Sequence, residues 1–425
     1  MPRDDRVAIG PRRKTPADDD IANLRSCQRA LDWLTLFIAN IQTGFGPFIA
    51  VYLTSQGWTQ TGIGFALSVG TVTAMASQVP AGALVDMVRS KSRIAAVSIL
   101  AFAASALLFA LWPTRPFVYL AEVLHGFSSC TLGPAIAAIS LALVGQRGLG
   151  LRLARNARYA AIGNGVGAAL MGAVGYYVSQ RSIFFLTAAL TIPALAALVP
   201  LWRVRDRMPA PRYQHAAERL MHLGRVLADR RLIILAVCAM LFTFADAAML
   251  PLAGIALTKG VGRQASLLIA ACIVLPQVLV ALFSPAIARL ADVRGRRAAL
   301  LLGFAMLPLR GLLFALITDP IGIVLIQLLD GIAGACFGVL VPLVTADVAG
   351  RSGHFNFALG VIGLAIGIGG TLSTALAGWT ADRLGDPAAF IGLALVGLAA
   401  TLLIWRGMPE TRPAGLDAAV RPTRA

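Results

Sequence analysis

Residues Ile94–Trp112 have the sequence IAAVSILAFAASALLFALW, an uncharged apolar run long enough to cross a lipid bilayer as a helix. In lipid, a spanning backbone satisfies its hydrogen bonds only in a helix or a closed barrel, so this run predicts a membrane helix. The whole chain has the same character, because 58% of its 425 residues are hydrophobic and 13% are charged. Soluble domains are about 45–50% apolar and about 25% charged, so the composition excludes a water-soluble particle.

Further apolar runs of similar length lie on both sides of this one and predict an all-α membrane protein with twelve transmembrane helices. The predicted spans are 31–53, 62–85, 94–112, 117–144, 158–178, 183–202, 232–257, 265–291, 298–317, 320–348, 355–378 and 388–405.

One long basic loop, residues 203–231, divides the predicted spans into two groups of six. It separates a first bundle over residues 31–202 from a second bundle over 232–405, with cytoplasmic tails at 1–30 and 406–425. Leucines at helical spacing in the later part of the loop predict a short surface helix there.

The positions of lysine and arginine predict the orientation, because loops on the cytoplasmic side carry an excess of both. With the N-terminus inside, 31 of the 37 basic residues fall in inside segments, five fall outside, and Arg310 lies within a span. We therefore expect a multi-pass protein of the inner membrane with both termini in the cytoplasm. This asymmetry explains the net charge of +17 better than nucleic-acid binding does. The polar N-terminal stretch shows no signal peptide.

The two predicted bundles repeat one another. The segment Gln42–Pro47 matches Asp246–Pro251 at an offset of 204 residues, and Leu124–Gly126 matches Leu329–Gly331 at an offset of 205. An asparagine and two glycines of the fifth span recur in the eleventh. In duplicated carriers, the substrate site lies between the repeats near the bilayer midplane.

Two short charged loops lie at equivalent places in the two bundles: GALVDMVRSK at 82–91 and ARLADVRGRR at 288–297. Both resemble the signature loop of the major facilitator superfamily, G-x-L-a-D-r-x-G-r-k. The resemblance covers roughly residues 31–405. It implies a bacterial transporter with twelve helices in two pseudo-symmetric six-helix bundles, the major facilitator fold.

The resemblance also implies that these loops are gates that help to close the cytoplasmic side while the outer side opens. An acidic residue at a helix end can accept hydrogen bonds from a neighbouring helix N-terminus or pair with a nearby arginine. For Lys91, topology signalling is an equal alternative. The first copy departs from the pattern at Met87 and Arg89, and the second at Ala288. The matching gating residues are Gly82, Asp86, Lys91, Asp292, Gly295 and Arg296.

Polar side chains within the spans are costly and predict a pathway for substrate and protons. The candidates are Gln42, Glu122, His125, Asp246, Gln277, Arg310, Gln327 and Asp330. Glu122 and His125 stand where the family often carries Arg-x-x-Gln-Gly. They share one helix face, and both can exchange protons. The alternative is a hydrogen-bonded pair that only packs the fourth helix against a neighbour.

Two further pairs leave the choice between function and structure open. Asp246 and its repeat mate Gln42 are predicted to line the cavity, with a polar cross-link between the bundles as the alternative. Arg310 and Asp330 lie on consecutive antiparallel helices. If they pair, a structural ion pair explains them at least as well as substrate contact, and if not, Arg310 is a site for an anionic group. Acidic residues at the ends of spans are expected to be solvated or to cap helices, namely Asp32 and Asp347.

These observations predict a secondary active transporter that moves a small organic solute by alternating access, with proton-coupled efflux as the first hypothesis. Proton-coupled uptake of a small organic acid or nutrient is the alternative, and a non-transporting membrane sensor is a third. The chain has no nucleotide-binding G-x-x-x-x-G-K-[ST] loop and no metal-ligand spacing, and its four histidines form no catalytic constellation. We therefore expect no enzyme activity and no cofactor or metal, and partners limited to solute, protons and lipid, in a monomer.

Reporter fusions test the predicted topology. Fusions at Gly57 and Asp319 should report the periplasm, and fusions at Arg212 and at the C-terminus should report the cytoplasm, because the basic residues are concentrated on that side. A cytoplasmic signal at Asp319 would contradict the arrangement of twelve helices.

Overall fold

The computed structural model describes residues 16–58, 60–88, 90–203, 228–253, 265–349 and 354–412. Within these residues the chain is helical and has no strand. The helices of the first bundle are α1 Pro16–Thr43, α2 Gly46–Ser55, α3 Gln60–Met87, α4 Lys91–Leu111, α5 Arg115–Tyr177 and α6 Gln180–Leu198, with a short 3-10 helix at Val199–Arg203. Those of the second bundle are α7 Arg230–Asp246, α8 Ala265–Arg294, α9 Arg296–Leu316, α10 Pro320–Ile326, α11 Leu328–Ala349, α12 Phe355–Leu384 and α13 Asp386–Gly407.

Each predicted span lies on a helix, as far as the described residues reach. The fourth and fifth spans share α5, which is interrupted at Gly145 with φ 67° and ψ 179°. Glycine adopts a positive φ without a steric penalty, so two helices can join there without a longer loop. Nine helices in the described ranges are long and apolar enough to cross a membrane, and they correspond to the third to twelfth spans. The predicted surface helix in the central loop lies largely outside the described residues.

The first and seventh spans are both broken beside the predicted repeat mates. Two residues separate the end of α1 from the start of α2, and Gln42 lies just before this break. Likewise α7 ends at Asp246, and a further helical piece follows at 249–253. Pro47 and Pro251 lie shortly after these breaks, and a proline cannot donate to the carbonyl four residues before it.

One apolar cluster joins the two bundles at the end of the molecule that carries the signature loops. In it, Leu149 and Leu153 of α5 pack together with Ile287 of α8 and Leu343 of α11. Two other clusters of buried residues each belong to one bundle: one runs through the length of the first bundle, and the other lies at the end of the second bundle away from the loops. Within the described residues, the apolar core is therefore continuous between the bundles only at the loop end.

Glycines let α3 and α12 touch along this end. A Cβ on Gly82 would overlap the carbonyl oxygen of Asn356, and a Cβ on Gly360 would overlap that of Gln78. A Cβ on Gly363 would lie 2.5 Å from Oε1 of Gln78. Small residues permit such close approach of membrane helices, whose association depends on van der Waals packing. The contact therefore has no room for a side chain at Gly82.

Gly82→Ala should loosen this contact, because the added methyl group meets backbone that cannot move aside. Overpacking of this kind costs roughly 1–3 kcal/mol, so amide exchange in the first turn of α12 should become roughly tenfold faster. Hydrogen–deuterium exchange followed by mass spectrometry would measure this. Gly378→Ala is the matched control, because nothing lies within 4 Å of a Cβ there. Equal exchange in the two variants would contradict the tight contact.

Candidate functional site

A charged cluster in the second bundle is centred on Arg310 of α9, whose side chain is 2% exposed. Its Nη1 donates to Oδ1 of Asp246 and to Oδ1 of Asp330, the latter at 2.9 Å. Its Nη2 donates to Oε1 of Gln327, also at 2.9 Å. The cluster therefore joins α7, α9 and the junction between α10 and α11. The sequence left open whether Arg310 and Asp330 pair, and the structure shows that they do.

Broken helices bring the partners of Arg310 into place. Gln327 lies between α10 and α11, and Asp330 lies three residues later, in the first turn of α11, on the same face. A carboxylate in the first turn is favoured by the positive end of the helix dipole. Asp246 is the last residue of α7, where the dipole disfavours a negative charge. The guanidinium of Arg310 supplies the positive charge that Asp246 needs there.

The cluster holds more negative than positive charge when both acids are ionised. Two carboxylates share one nitrogen of a single guanidinium, which leaves one negative charge uncompensated. Like charges this close disfavour double ionisation, and one proton bound to the pair makes the cluster neutral. The side chains of Asp246 and Asp330 are 31% and 28% exposed, whereas that of Arg310 is buried.

A second polar centre lies in the first bundle, where α5 carries Glu122 and His125. The Glu122 side chain is 2% exposed, whereas that of His125 is 24% exposed. Nδ1 of His125 lies 3.7 Å from Oε2 of Glu122, which is beyond hydrogen-bond distance. Oε1 of Glu122 and Nδ1 of His125 have no hydrogen-bond partner among the described residues. The predicted shared face is therefore present without the hydrogen bond that a structural pair would need.

Aromatic rings and a glycine surround this second centre. The ring of Phe45, between α1 and α2, stacks on that of His125 with centroids 4.5 Å apart and planes inclined by 10°. The ring of Phe102 on α4 meets His125 edge-on at 5.5 Å. The Glu122 carboxylate lies against Gly70 of α3, where a Cβ would overlap Oε2. A charged group is thus enclosed by apolar rings and backbone.

The two centres occupy repeat-related positions but differ in charge. At the offset of 205 residues, Glu122 corresponds to Gln327 and His125 corresponds to Asp330. The first bundle has no counterpart of Arg310, because the α4 residues near the matching position are Ala104 and Ser105. The described residues also hold no group of three His, Cys, Asp or Glu side chains that could bind a metal ion.

The remaining amide candidates, Gln42 and Gln277, are half-buried. Gln42 precedes the break between α1 and α2, and Gln277 follows Pro276 on α8. The carbonyl oxygen of Pro276 would lie 2.8 Å from a Cβ on Gly331 of α11. Among the described residues, no hydrogen bond joins Gln42 to Asp246, so these two do not form the polar cross-link considered from the sequence. That they line a cavity stays a prediction.

The first signature loop connects the bundles through Asp86. Its carboxylate accepts hydrogen bonds from the backbone N of Asn356 at 3.2 Å, from Nδ2 of Asn356 at 2.7 Å and from the backbone N of Phe357 at 2.8 Å. These donors form the N-terminus of α12, where unpaired N–H groups and the helix dipole favour an anion. Nζ of Lys91 donates to three carbonyl oxygens at the end of α3, at 2.7, 2.9 and 3.3 Å.

The second signature loop stays within its own bundle. Nη1 of Arg296 donates to Asp292 at 2.6 Å, and its Nε donates to Asp347 at 3.1 Å. Glu410, beyond the end of α13, accepts from the backbone N of Arg296 at 2.8 Å and so caps α9. Gly295 has φ 97°, and a Cβ there would overlap the Glu410 carboxylate. This position therefore requires glycine for both reasons.

The expectation that Asp32 and Asp347 are solvated or capping is wrong, because both are buried and paired with arginine. Asp32 on α1 accepts from Arg152 at 2.5 Å and from Arg155, both on α5. Nε of Arg152 also donates to Oδ1 of Asn156, one turn later, at 2.9 Å. An acid that is buried at the end of a span requires such cations. Two of the arginines that were predicted to lie on the cytoplasmic side supply them. From the sequence alone, these arginines were predicted only to set the topology.

Comparison with known proteins extends these observations over nearly the whole chain. The sequence profile described as Major Facilitator Superfamily matches residues 32–279 and 235–423. A protein of Mycobacterium tuberculosis strain H37Rv, described as an uncharacterized MFS-type transporter, is 34% identical over 408 residues. The match covers 93% of this chain and 96% of that protein. The counterpart in strain CDC 1551 matches to the same extent.

Solved transporter structures have a similar fold. The human organic anion transporter MFSD10 has a TM-score of 0.71 at 14% identity, covering 92% of this chain and 100% of that one. FucP in the outward conformation has 0.70 at 14% identity, covering 88% and 97%. The proton:xylose symporter XylE, bound to 6-bromo-6-deoxy-D-glucose, has 0.70 at 14% identity, covering 94% and 100%. At such identity, the likeness shows the fold alone.

Removing Arg310 should be strongly destabilising, because it leaves two carboxylates without a cation. Loss of one partner from a buried pair costs about 3–5 kcal/mol, so Arg310→Met should lower the Tm of the purified protein markedly. Combining Arg310→Met with Asp246→Asn and Asp330→Asn should recover much of that loss. Arg383→Met, at the exposed end of α12, is the control. If Arg310→Met unfolds like the control, the cluster does not hold the bundle together.

Proposed function

This chain belongs to the Major Facilitator Superfamily and is an integral multi-pass membrane transporter, and on that premise we propose that it exports a small organic solute in exchange for protons. The proposal places it in the inner membrane as a monomer, with both termini in the cytoplasm. Its two bundles alternate between states open to either side. The solute and the proton bind between the bundles, near the bilayer midplane.

The cluster around Arg310 is the observation that best supports the proposed proton coupling. A coupled carrier needs a group that binds a proton in one state and releases it in the other. Asp246 and Asp330 share one guanidinium, so the pair holds a single exchangeable proton at little cost. Asp246 belongs to α7 and Asp330 to α11, so a relative movement of these helices changes the distance between the carboxylates. The proton affinity of the pair would change with that distance.

The contact of Asp86 with α12 supports alternating access with a closed inner side. Among the described residues, the hydrogen bonds that cross between the bundles include those of Asp86, which lie at the loop end. Besides those of Asp86, Nε2 of Gln146 donates to the carbonyl of Ala346 at 3.3 Å, and Nε of Arg158 donates to that of Ala281 at 2.7 Å. Release of the α12 N-terminus from Asp86 would be one step in opening this side. Hydrogen bonds that must break and re-form in each cycle suit a gate.

The alternative is that the protein takes up a small organic acid, which differs from the proposal in both direction and substrate. Such uptake needs a cation that a carboxylate can reach, and Arg310 is the arginine that lies away from the ends of the predicted spans. Both Nη atoms of Arg310 already donate to Asp246, Asp330 and Gln327. The arrangement therefore favours exchange of the solute against protons over binding of an acid.

Neutralising the acid pair should uncouple transport from the proton gradient. In proteoliposomes, Asp330→Asn should abolish accumulation driven by a pH gradient while solute exchange at equal pH survives, because the amide keeps an oxygen for Arg310 and cannot take up a proton. The solute would first be identified by a thermal-shift screen of metabolite and drug libraries.

Asp319→Asn is the control, since Asp319 is an exposed residue that caps α10. Loss of both activities in Asp330→Asn would indicate a structural role. Gradient-driven accumulation at the wild-type level in both Asp330→Asn and Asp246→Asn would show that the proton is carried elsewhere.

A further inference from the structure

The two polar centres of the membrane interior differ in how their charges are balanced. In the second bundle, Arg310 compensates one of its two acids, and the proposed proton on the pair would compensate the other. In the first bundle, no ion pair joins Glu122 to an arginine or lysine among the described residues, and its neighbour on the same face is His125. The positions matching Arg310 in the repeat carry no charge. Glu122 therefore requires a positive charge or a proton from outside the fold.

The unpartnered oxygen of Glu122 indicates a ligand rather than a structural bond. Its side chain is almost fully buried, and Oε1 has no hydrogen-bond partner among the described residues. An isolated buried carboxylate is costly and persists only when something neutralises it or when function requires it. A structural Glu–His pair would be hydrogen-bonded, but Nδ1 of His125 is 3.7 Å away and is itself unpartnered.

The surroundings of Glu122 suit an organic cation. The ring of Phe45 covers one face of His125 and that of Phe102 meets its edge, and both phenylalanines are fully buried, so a ligand would meet the remaining, partly exposed side of the His125 ring. Aromatic faces attract ammonium and similar cations, and the attraction is strongest where water is excluded. His125 is the partly exposed member of the centre, so a ligand would contact its ring before it reaches Glu122. Gly70 keeps the space around the carboxylate free of a side chain.

We propose that the transported solute is an organic cation whose charged group binds Glu122 beside the stack of Phe45 and His125. This inference rests on the proposed exchange function and adds the charge of the cargo. A cation bound at Glu122 and a proton bound at Asp246 and Asp330 would each neutralise one excess negative charge. Exchange of one for the other then keeps the charge of the membrane interior nearly constant.

A matched pair of probes tests the charge selectivity. Tetraphenylphosphonium and tetraphenylborate have the same shape and opposite charges. Purified protein in a neutral detergent should bind the cation saturably and should not bind the anion, as measured by equilibrium dialysis. Tetraalkylammonium ions from tetramethyl to tetrabutyl extend the test to smaller cations. Wild-type protein that binds none of these cations, or that binds tetraphenylborate equally well, would overturn the inference.

Two substitutions locate the binding group. Glu122→Gln should weaken cation binding at least tenfold, and Gly70→Ala should weaken it because the added methyl group displaces the carboxylate. Asp382→Asn removes the same charge from the exposed end of α12 and should bind like the wild type. Wild-type affinity in Glu122→Gln would overturn the assignment. The binding assay uses no pH gradient, so failure of gradient-driven exchange with intact cation binding would contradict the proposed coupling alone.

Thermal unfolding without ligand gives a second readout that a structural role would move in the opposite direction. If Glu122 is an uncompensated carboxylate kept for a ligand, Glu122→Gln should raise the Tm at pH 8 by a few degrees, because it removes an unpaired buried charge. The cation should then raise the Tm of the wild type more than that of the variant. A lower Tm for ligand-free Glu122→Gln would show that the carboxylate holds the fold together, and would overturn the proposal.

Discussion

A charge inside a lipid bilayer must be neutralised by its immediate surroundings, and this constraint governs the interior of the present protein. The guanidinium of Arg310 is the fixed positive charge around which the second bundle is arranged. It reaches the end of α7, the start of α11 and the residue between α10 and α11. Each of these points is a helix end or a break, where backbone polar groups are left without helical partners. The breaks and the charges are therefore parts of one arrangement, since neither would be stable in lipid without the other.

Duplication explains why the two bundles share a scaffold and yet differ at their centres. The same positions carry Glu122 and His125 in one bundle and Gln327 and Asp330 in the other. If the two repeats carried identical charges, both bundles would need the same compensating charge. One bundle has an amide where the other has an acid, and Arg310 occurs in one repeat alone. The charges of one centre are therefore nearly balanced within the protein, whereas the other centre needs a partner. The proposed exchange of a cation for a proton would use this difference.

The sequence predicted the helical spans, the two bundles and most of the polar residues of the site, because hydropathy, repeats and signature loops are local patterns. It also placed Arg310 and Asp330 within reach of each other. It did not show that Asp246 joins them, since that depends on how α7 packs against α9. It misplaced Asp32, because the burial of a residue at the end of a span depends on whether neighbouring helices extend beyond it. The sequence also did not predict the cap that Glu410 provides, because its partner lies more than a hundred residues earlier in the chain.

The position of Glu410 has a consequence for the order in which the chain is made. The first bundle includes the bond from Ser92 on α4 to the carbonyl of Leu201, so the contacts within this bundle are available once the ribosome has passed the sixth span. The second bundle differs, because the start of α9 is capped by a residue close to the C-terminus. Domains generally fold in the order of synthesis. The loop at Gly295 must therefore wait, with its helix end uncapped, until the chain as far as Glu410 has left the translocation machinery.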